Sequence, residues 1–144
     1  MTPQWTDAKL RLTLRGGSVY YLQHRDLSSA APHYFVVLNL EPLGDDFLVL
    51  AVASSKVAGV RNRSRNLPPE TLVDISPTDY TDFTLQTIVD CNHWFRVTRQ
   101  ELLTKLEAGL ASAKQQLSPA ILTRLRQGVL ASPLIEEEIK DLLR

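Results

Sequence analysis

The spacing of hydrophobic and polar positions changes along the chain near residue 97. Before that point, short apolar runs are separated by turn residues, a pattern typical of a β-rich fold. After it, capping residues and apolar positions three and four apart predict helices. We therefore expect an α+β fold in one domain, residues 1–144, with a β-rich part at residues 1–97 and a helical C-terminal extension, residues 98–144, packed on it.

The β-rich part contains several candidate strands. Residues 9–15 alternate between leucine and polar positions and favour a strand, with a short helix starting at Thr6 as the alternative. Glu41–Asp46 has the composition of a turn, so the apolar runs on either side of it, residues 34–40 and 47–53, should pair as a hairpin. The other candidate strands are residues 19–22, 71–75, 87–90 and 93–97, and residues 23–32 and 56–69 are expected to be loops.

The C-terminal part has clear helix-start and helix-stop signals. Thr98–Glu101 has the sequence of a capping box, and Gly109 is a natural stop for the helix that follows. Ser118–Pro119 combines an N-cap residue with proline at the first helical position. Ser132–Pro133 repeats that combination and predicts another helix start.

Composition places the chain among soluble globular proteins, since 44% of its residues are hydrophobic and 22% are charged. No apolar run is long enough to span a bilayer, and Met1–Asp7 lacks the basic-then-apolar pattern of a secretion signal. The lone Cys91 cannot form an internal disulfide, which fits a reducing compartment. These features predict a cytoplasmic location without membrane attachment.

The formal net charge is zero, but positive charge is concentrated in one short segment. Residues 56–65 contain four basic side chains and no acidic one. Such a segment in a neutral protein predicts a local anionic partner, and the alternative is a solvated mobile loop.

Four segments of the β-rich part and its continuation resemble the MazF/PemK-like toxin family, and the resemblance spans residues 16–131. They are a glycine before a short strand (Gly17–Tyr21), an apolar strand after a loop (His33–Asn39), a strand ending in two serines (Leu50–Ser55), and a later strand (Thr87–Asp90) with a terminal helical region. The resemblance implies a small, mostly antiparallel SH3-like β-barrel with C-terminal helices. It also implies a homodimer and a metal-independent endoribonuclease that acts on single-stranded RNA and is controlled by an antitoxin protein, with no cofactor.

The same resemblance identifies candidate catalytic residues. His33 stands at the position of the family's catalytic arginine and Ser54 at that of its catalytic threonine, while Tyr34 and Val52 replace two family prolines. A histidine side chain exchanges protons near neutral pH, so His33 is suited to act as base or acid. Arg25 is a candidate for stabilising the charge of the reacting phosphate. The alternatives are that His33 and Ser54 only form local hydrogen bonds.

Further residues are candidates for contact with nucleic acid, either by charge or by stacking. The polar candidates are His24, Ser55, Lys56, Arg61, Arg63 and Arg65. The aromatic candidates, for which a core position is the alternative, are Tyr20, Tyr21, Tyr34 and Phe35. Residues 90–93 contain too few ligand types for a structural zinc site, so no metal is expected. Two alternatives to the enzyme remain open on the same barrel: a non-catalytic nucleic-acid-binding module, and a protein-interaction module that binds an antitoxin.

Overall fold

The computed structural model describes residues 4–27 and 31–144. Parts of two sequence predictions, the N-terminal segment and the loop at residues 23–32, lie outside these described residues. The helices and strands follow along the chain in the order α1 (Asp7–Thr13), β1 (Val19–Leu22), β2 (His33–Val37), β3 (Leu48–Ser54), α2 (Val57–Arg63), β4 (Leu72–Ile75), β5 (Thr87–Asp90), β6 (Phe95–Val97), α3 (Arg99–Glu107), β7 (Ala111–Lys114), α4 (Pro119–Ala131) and α5 (Glu137–Asp141).

The strands form one antiparallel sheet in the order β4-β5-β3-β2-β1-β7, with β6 paired to β3. The predicted hairpin is β2–β3, in which Val36 lies opposite Ala51. On the edge away from β2, the longer strand β3 has two further neighbours, because its first half pairs with β6 and its end pairs with β5. The α+β class and the small, mostly antiparallel sheet with helices are confirmed.

Helices cover both faces of this sheet. Alternate residues of β2 face opposite ways, so Val36 packs in one core with α4 and α5, while Phe35 packs in a second core with α1 and α3. The central strands are therefore apolar on both sides. Within the described residues, no helix is both long enough and apolar enough to cross a membrane.

The strand predicted at residues 9–15 is wrong, and the alternative helix forms instead. Thr6 is its N-cap, and the Thr6 hydroxyl accepts a hydrogen bond from the Lys9 amide at 3.0 Å. Leu10 and Leu14, four residues apart, are buried, whereas Leu12 is 87% exposed. The leucine alternation was therefore misleading, because only the helically spaced pair reaches the core.

Three other elements differ from the sequence predictions. The loop predicted at residues 56–69 contains helix α2. Ser132 does not start a helix but ends α4, and the last helix begins after Glu136. Strand β7 was not predicted, because Ala111–Lys114 contains no β-branched or aromatic residue and forms a strand by pairing with β1.

The predicted caps of α3 and α4 are confirmed. The Thr98 hydroxyl accepts from the Glu101 amide at 3.1 Å, and the Glu101 carboxylate accepts from the Thr98 amide at 3.2 Å. That backbone hydrogen bond favours the charged carboxylate and lowers the pKa of Glu101. Gly109, just after α3, has φ of +74°, which glycine adopts without steric cost. Ser118 caps α4 by accepting from the Ile121 amide.

Candidate active site

A cleft of about 880 Å³ opens where β2 begins and β3 ends. Three chain segments form most of its lining, namely residues 31–34, 52–56 and 82–87. Helix α2, Tyr21 and Leu27 complete it. The cleft therefore lies at one end of the β2–β3 hairpin.

Two of the predicted catalytic residues, His33 and Ser54, lie together in this cleft. The hairpin register pairs Tyr34 with Ala53, and the next step of that antiparallel register brings His33 opposite Ser54. Residues directly opposite each other point to the same face, with Cβ atoms about 5 Å apart. Both side chains are half-buried and line the cleft.

Each of these two side chains forms a local hydrogen bond and keeps one further polar group. The Nδ1 atom of His33 lies 2.9 Å from the carbonyl oxygen of Ala31. Because a carbonyl can only accept, Nδ1 carries the proton, and Nε2 of the neutral ring keeps its lone pair. The Ser54 hydroxyl accepts from the Lys56 amide at 3.1 Å, and among the described residues no acceptor takes its own proton. The local hydrogen bonds thus leave Nε2 of His33 available as a base and the Ser54 hydroxyl available as a hydrogen-bond donor.

Positive charge reaches the cleft from helix α2. The residues of this segment that line the cleft, Lys56, Gly59, Val60 and Arg63, have the spacing of one helical face. Lys56 is exposed and forms no ion pair with the described residues. The Arg63 guanidinium is 62% exposed and lies 3.7 Å from the Asp90 carboxylate. The cleft therefore combines two cations with the polar pair, and Ser55 also lines it.

A buried network under Arg63 holds α2 against the sheet. Asp90 is 5% exposed and accepts a hydrogen bond from the Ser64 hydroxyl at 2.6 Å. It also accepts from the backbone and side-chain amides of Asn92, which in turn contacts Thr71 and Ser132. This network links α2, β5 and the end of α4.

Replacing Asp90 with alanine is expected to lower the free energy of unfolding by about 3 kcal/mol. The reason is that the Ser64 hydroxyl and the Asn92 amides lose their buried acceptor, at about 1–3 kcal/mol for each unsatisfied group. Urea unfolding followed by tryptophan fluorescence measures the change. The matched control is Asp74→Ala, whose carboxylate is 40% exposed and pairs with Arg61 at the surface, so its loss should stay below about 1 kcal/mol. Equal losses in the two variants would contradict the assignment.

The prediction that His24 contacts nucleic acid is corrected by its burial. Its side chain is in the core, with the ring against Phe35 and Phe95. Nε2 donates to the Arg96 carbonyl at 2.9 Å, and Nδ1 accepts from the Asp26 amide. Both ring nitrogens are thus used inside the protein.

Three predicted arginines lie outside the lining of the cleft. Arg25 is near the start of α3, where its charge adds to the larger effect of the Thr98 amide in lowering the pKa of Glu101. Arg61 forms a hydrogen-bonded ion pair with Asp74. Arg65 donates to the Asn62 carbonyl at 2.7 Å. Of the candidate cations, the structure brings only Lys56 and Arg63 to the lining of the cleft that contains His33.

The aromatic candidates divide between core and cleft. Tyr20 and Phe35 are buried, whereas Tyr21 and Tyr34 are half-buried and line the cleft. Residues 82–85 also line the cleft, but they carry no motif and were not predicted as site residues. The one feature in the sequence that could have indicated this segment is Phe83, an aromatic residue in a polar turn.

Cys91 is fully buried, and burial raises the pKa of its thiol to about 12. It is therefore unsuited to act as a nucleophile. Within residues 4–27 and 31–144, no group of three or more His, Cys, Asp or Glu side chains is arranged to hold a metal ion.

No model of a known protein family and no curated protein matches the chain. Among solved structures, the chain is similar to an endoribonuclease in complex with its cognate antitoxin, from mycobacterial species. The two chains are 13% identical, the match covers 81% of this chain and 91% of the other, and the TM-score is 0.52. At this identity the likeness is one of fold, and it agrees with the fold that the resemblance to MazF/PemK-like toxins predicts.

Proposed function

We propose that this protein is a MazF/PemK-like endoribonuclease that cleaves single-stranded RNA without a metal ion. The observation that carries the proposal is the position of His33 opposite Ser54 in a cleft with two cations. The fold shared with an endoribonuclease supports it. The proposed catalytic residues are His33 and Ser54, and Lys56 and Arg63 are the proposed phosphate-binding residues.

The proposed reaction is a transesterification within the RNA backbone. Nε2 of His33 takes the proton of the ribose 2′-hydroxyl, and the 2′ oxygen attacks the adjacent phosphorus. The bond from phosphorus to the 5′ oxygen breaks, and this oxygen leaves with a proton from solvent. The products are a 2′,3′-cyclic phosphate and a 5′-hydroxyl end.

The negative charge that develops on the phosphate needs donors and cations held in place. The Ser54 hydroxyl donates its free proton to a non-bridging oxygen. Arginine, always charged, would stabilise this phosphate better than the neutral imidazole of His33. In this chain we assign the charge to Lys56 and Arg63 on α2, which compensate for the missing family arginine.

The test is incubation of the purified protein with a long single-stranded RNA in EDTA, over a range of pH values around neutrality. Discrete fragments that end in 2′,3′-cyclic phosphates are expected. The same RNA annealed to its complement is the control and should be cut far less. Absence of fragments with correctly folded protein would overturn the proposal.

A second candidate function is RNA binding without cleavage. It is favoured by the local hydrogen bonds of His33 and Ser54, which also suit purely structural residues. In that case RNA binding would weaken with added salt, and no fragments would form.

We also propose an antitoxin protein as a partner, supported by the antitoxin bound to the similar endoribonuclease. A homodimer remains a prediction from the family resemblance. The third alternative, a protein-interaction module, would bind such a partner without any affinity for nucleic acid.

A further inference from the structure

An aromatic wall, made of Tyr21, Tyr34 and Phe83, lines the cleft from the sheet face that also carries Val36, whereas His33 and Ser54 lie on the other face where the strands end. Tyr21 and Tyr34 are direct partners across β1 and β2, and their ring centroids are 4.8 Å apart with the planes tilted by 53°. Phe83 packs edge-on against Tyr34 with centroids 5.2 Å apart. The two tyrosines therefore form a V-shaped surface that is only half-buried.

Buried contacts brace the wall from behind. Phe83 is 7% exposed and lies 4.7 Å, centroid to centroid, from Tyr80. The Tyr80 hydroxyl donates to the Gln115 carbonyl at 2.8 Å, which ties this aromatic group to the segment after β7. The wall is thus held in position before a ligand arrives, so little conformational entropy is lost on binding.

The charges of the cleft are divided between its parts. Lys56 and Arg63 come from α2, whereas the segment that carries the wall brings the carboxylate of Asp82 into the cleft. The Tyr34 hydroxyl lies 3.5 Å from the Asp82 backbone carbonyl, and the Asp82 carboxylate accepts a hydrogen bond from the Gln115 amide at 3.4 Å. A phosphate is attracted to the cations and repelled by Asp82. Lys114 Nζ also lies 5.7 Å from the centroid of the Tyr21 ring, so the wall has charges of both signs beside it. What the wall itself offers is ring surface, which suits a flat group.

We infer that the wall is a nucleobase-stacking subsite for single-stranded RNA. The base next to the phosphate held by Lys56 and Arg63 stacks on one tyrosine ring and meets the edge of the other. Asp82 accepts a hydrogen bond from an N–H group of that base. This inference deepens the proposed function and rests on it, because the ligand is the RNA substrate.

The experiment compares two uncleavable probes in EDTA at low salt. One is a mixed-sequence 2′-fluoro RNA oligonucleotide, which lacks the attacking 2′-hydroxyl, and the other is the same backbone without bases. Fluorescence anisotropy measures the affinity of each probe for the wild type and for Tyr21→Leu, Tyr34→Leu, Tyr21→Phe and Tyr34→Phe.

We expect the leucine variants to bind the base-containing probe about tenfold or more weakly than the wild type, while the phenylalanine variants keep most of the affinity. All variants should bind the abasic probe as weakly as the wild type does. An equal loss for both probes would mean a structural role and overturn the inference. So would unchanged binding, or a wild type that does not prefer the probe with bases.

The inference and the proposed function fail separately. Ring-dependent binding of the probe without any cleavage of RNA would keep the subsite and remove the endoribonuclease. RNA cleavage at an unchanged rate by both leucine variants, measured at subsaturating RNA, would keep the endoribonuclease and remove the subsite.

Discussion

Replacing His33 with alanine should lower the rate of RNA cleavage by about 10²–10⁴-fold, the usual contribution of a general base. The variant loses Nε2, which we assign to the ribose 2′-hydroxyl, while the phosphate-binding cations on α2 remain. The fall should appear in the rate at saturating RNA, with little change in affinity for the uncleavable probe. Both quantities are measured on the same protein samples.

Three further variants separate chemistry from folding. Arg124→Ala changes an exposed residue of α4 outside the lining of the cleft and should leave cleavage unaltered. Ser54→Ala should lower the cleavage rate by about 10²-fold or more, because the variant loses a hydrogen-bond donor to the phosphate. Ser54→Thr keeps the hydroxyl and should retain most of the activity. If the His33→Ala variant cleaves at the wild-type rate, His33 has no role as the base.

Deleting residues 118–144 should leave a protein that does not fold to a soluble monomeric form. The deletion removes seven buried side chains from the core on one face of the sheet, which are Ile121, Leu122, Leu125, Val129, Ile135, Ile139 and Leu143. Each such side chain contributes about 1.5–3 kcal/mol by burial. Together they are comparable to the whole stability of a domain, about 5–15 kcal/mol. Size-exclusion chromatography and circular dichroism measure the outcome.

A graded version of this test uses single substitutions in α4. Replacing the fully buried Leu125 with alanine should lower the free energy of unfolding by about 2–5 kcal/mol. The neighbouring Arg124 is exposed, so Arg124→Ala should change stability by less than about 0.5 kcal/mol. A soluble, cooperatively folding truncation would show instead that the sheet is stable without these helices.

Local signals were enough for the elements whose stability comes from their own residues. The turn at Glu41–Asp46 predicts the hairpin, and the caps at Thr98 and Ser118 predict α3 and α4. Each cap is confirmed by a hydrogen bond between residues three apart. These interactions depend on neighbours in the chain, so they can be recognised without the fold.

Helix α2 illustrates why other elements could not be predicted. Its N-cap is Lys56, which makes no side-chain capping bond, and its sequence includes Gly59 and two valines. Its position depends on buried Val60 and on Ser64, which donates to Asp90 on β5. A helix with weak local preference is stabilised by contacts with residues far along the chain.

Two histidines named as site candidates show the same contrast between local and long-range determinants. His33 lies at the start of a predictable strand, and the hairpin register alone brings it opposite Ser54. His24 follows β1 in a loop, and only the packing of Phe35 and Phe95 around it makes it a core residue. Nothing in the sequence near His24 distinguishes a buried ring from an exposed one.

The sequence by itself therefore determined the hairpin and the caps, and the family resemblance named His33 and Ser54 as separate candidates. Strand pairing in the tertiary structure places these two residues opposite each other at the cleft. The tertiary structure determined which charges and rings join that pair. Arg63 is positioned by α2, and Tyr21 is positioned by the β1–β2 register. Asp82 and Phe83 lie on a segment far along the chain. The physical reason is that turns and caps are satisfied by adjacent residues, whereas these side chains are positioned by strand pairing and packing between distant ones.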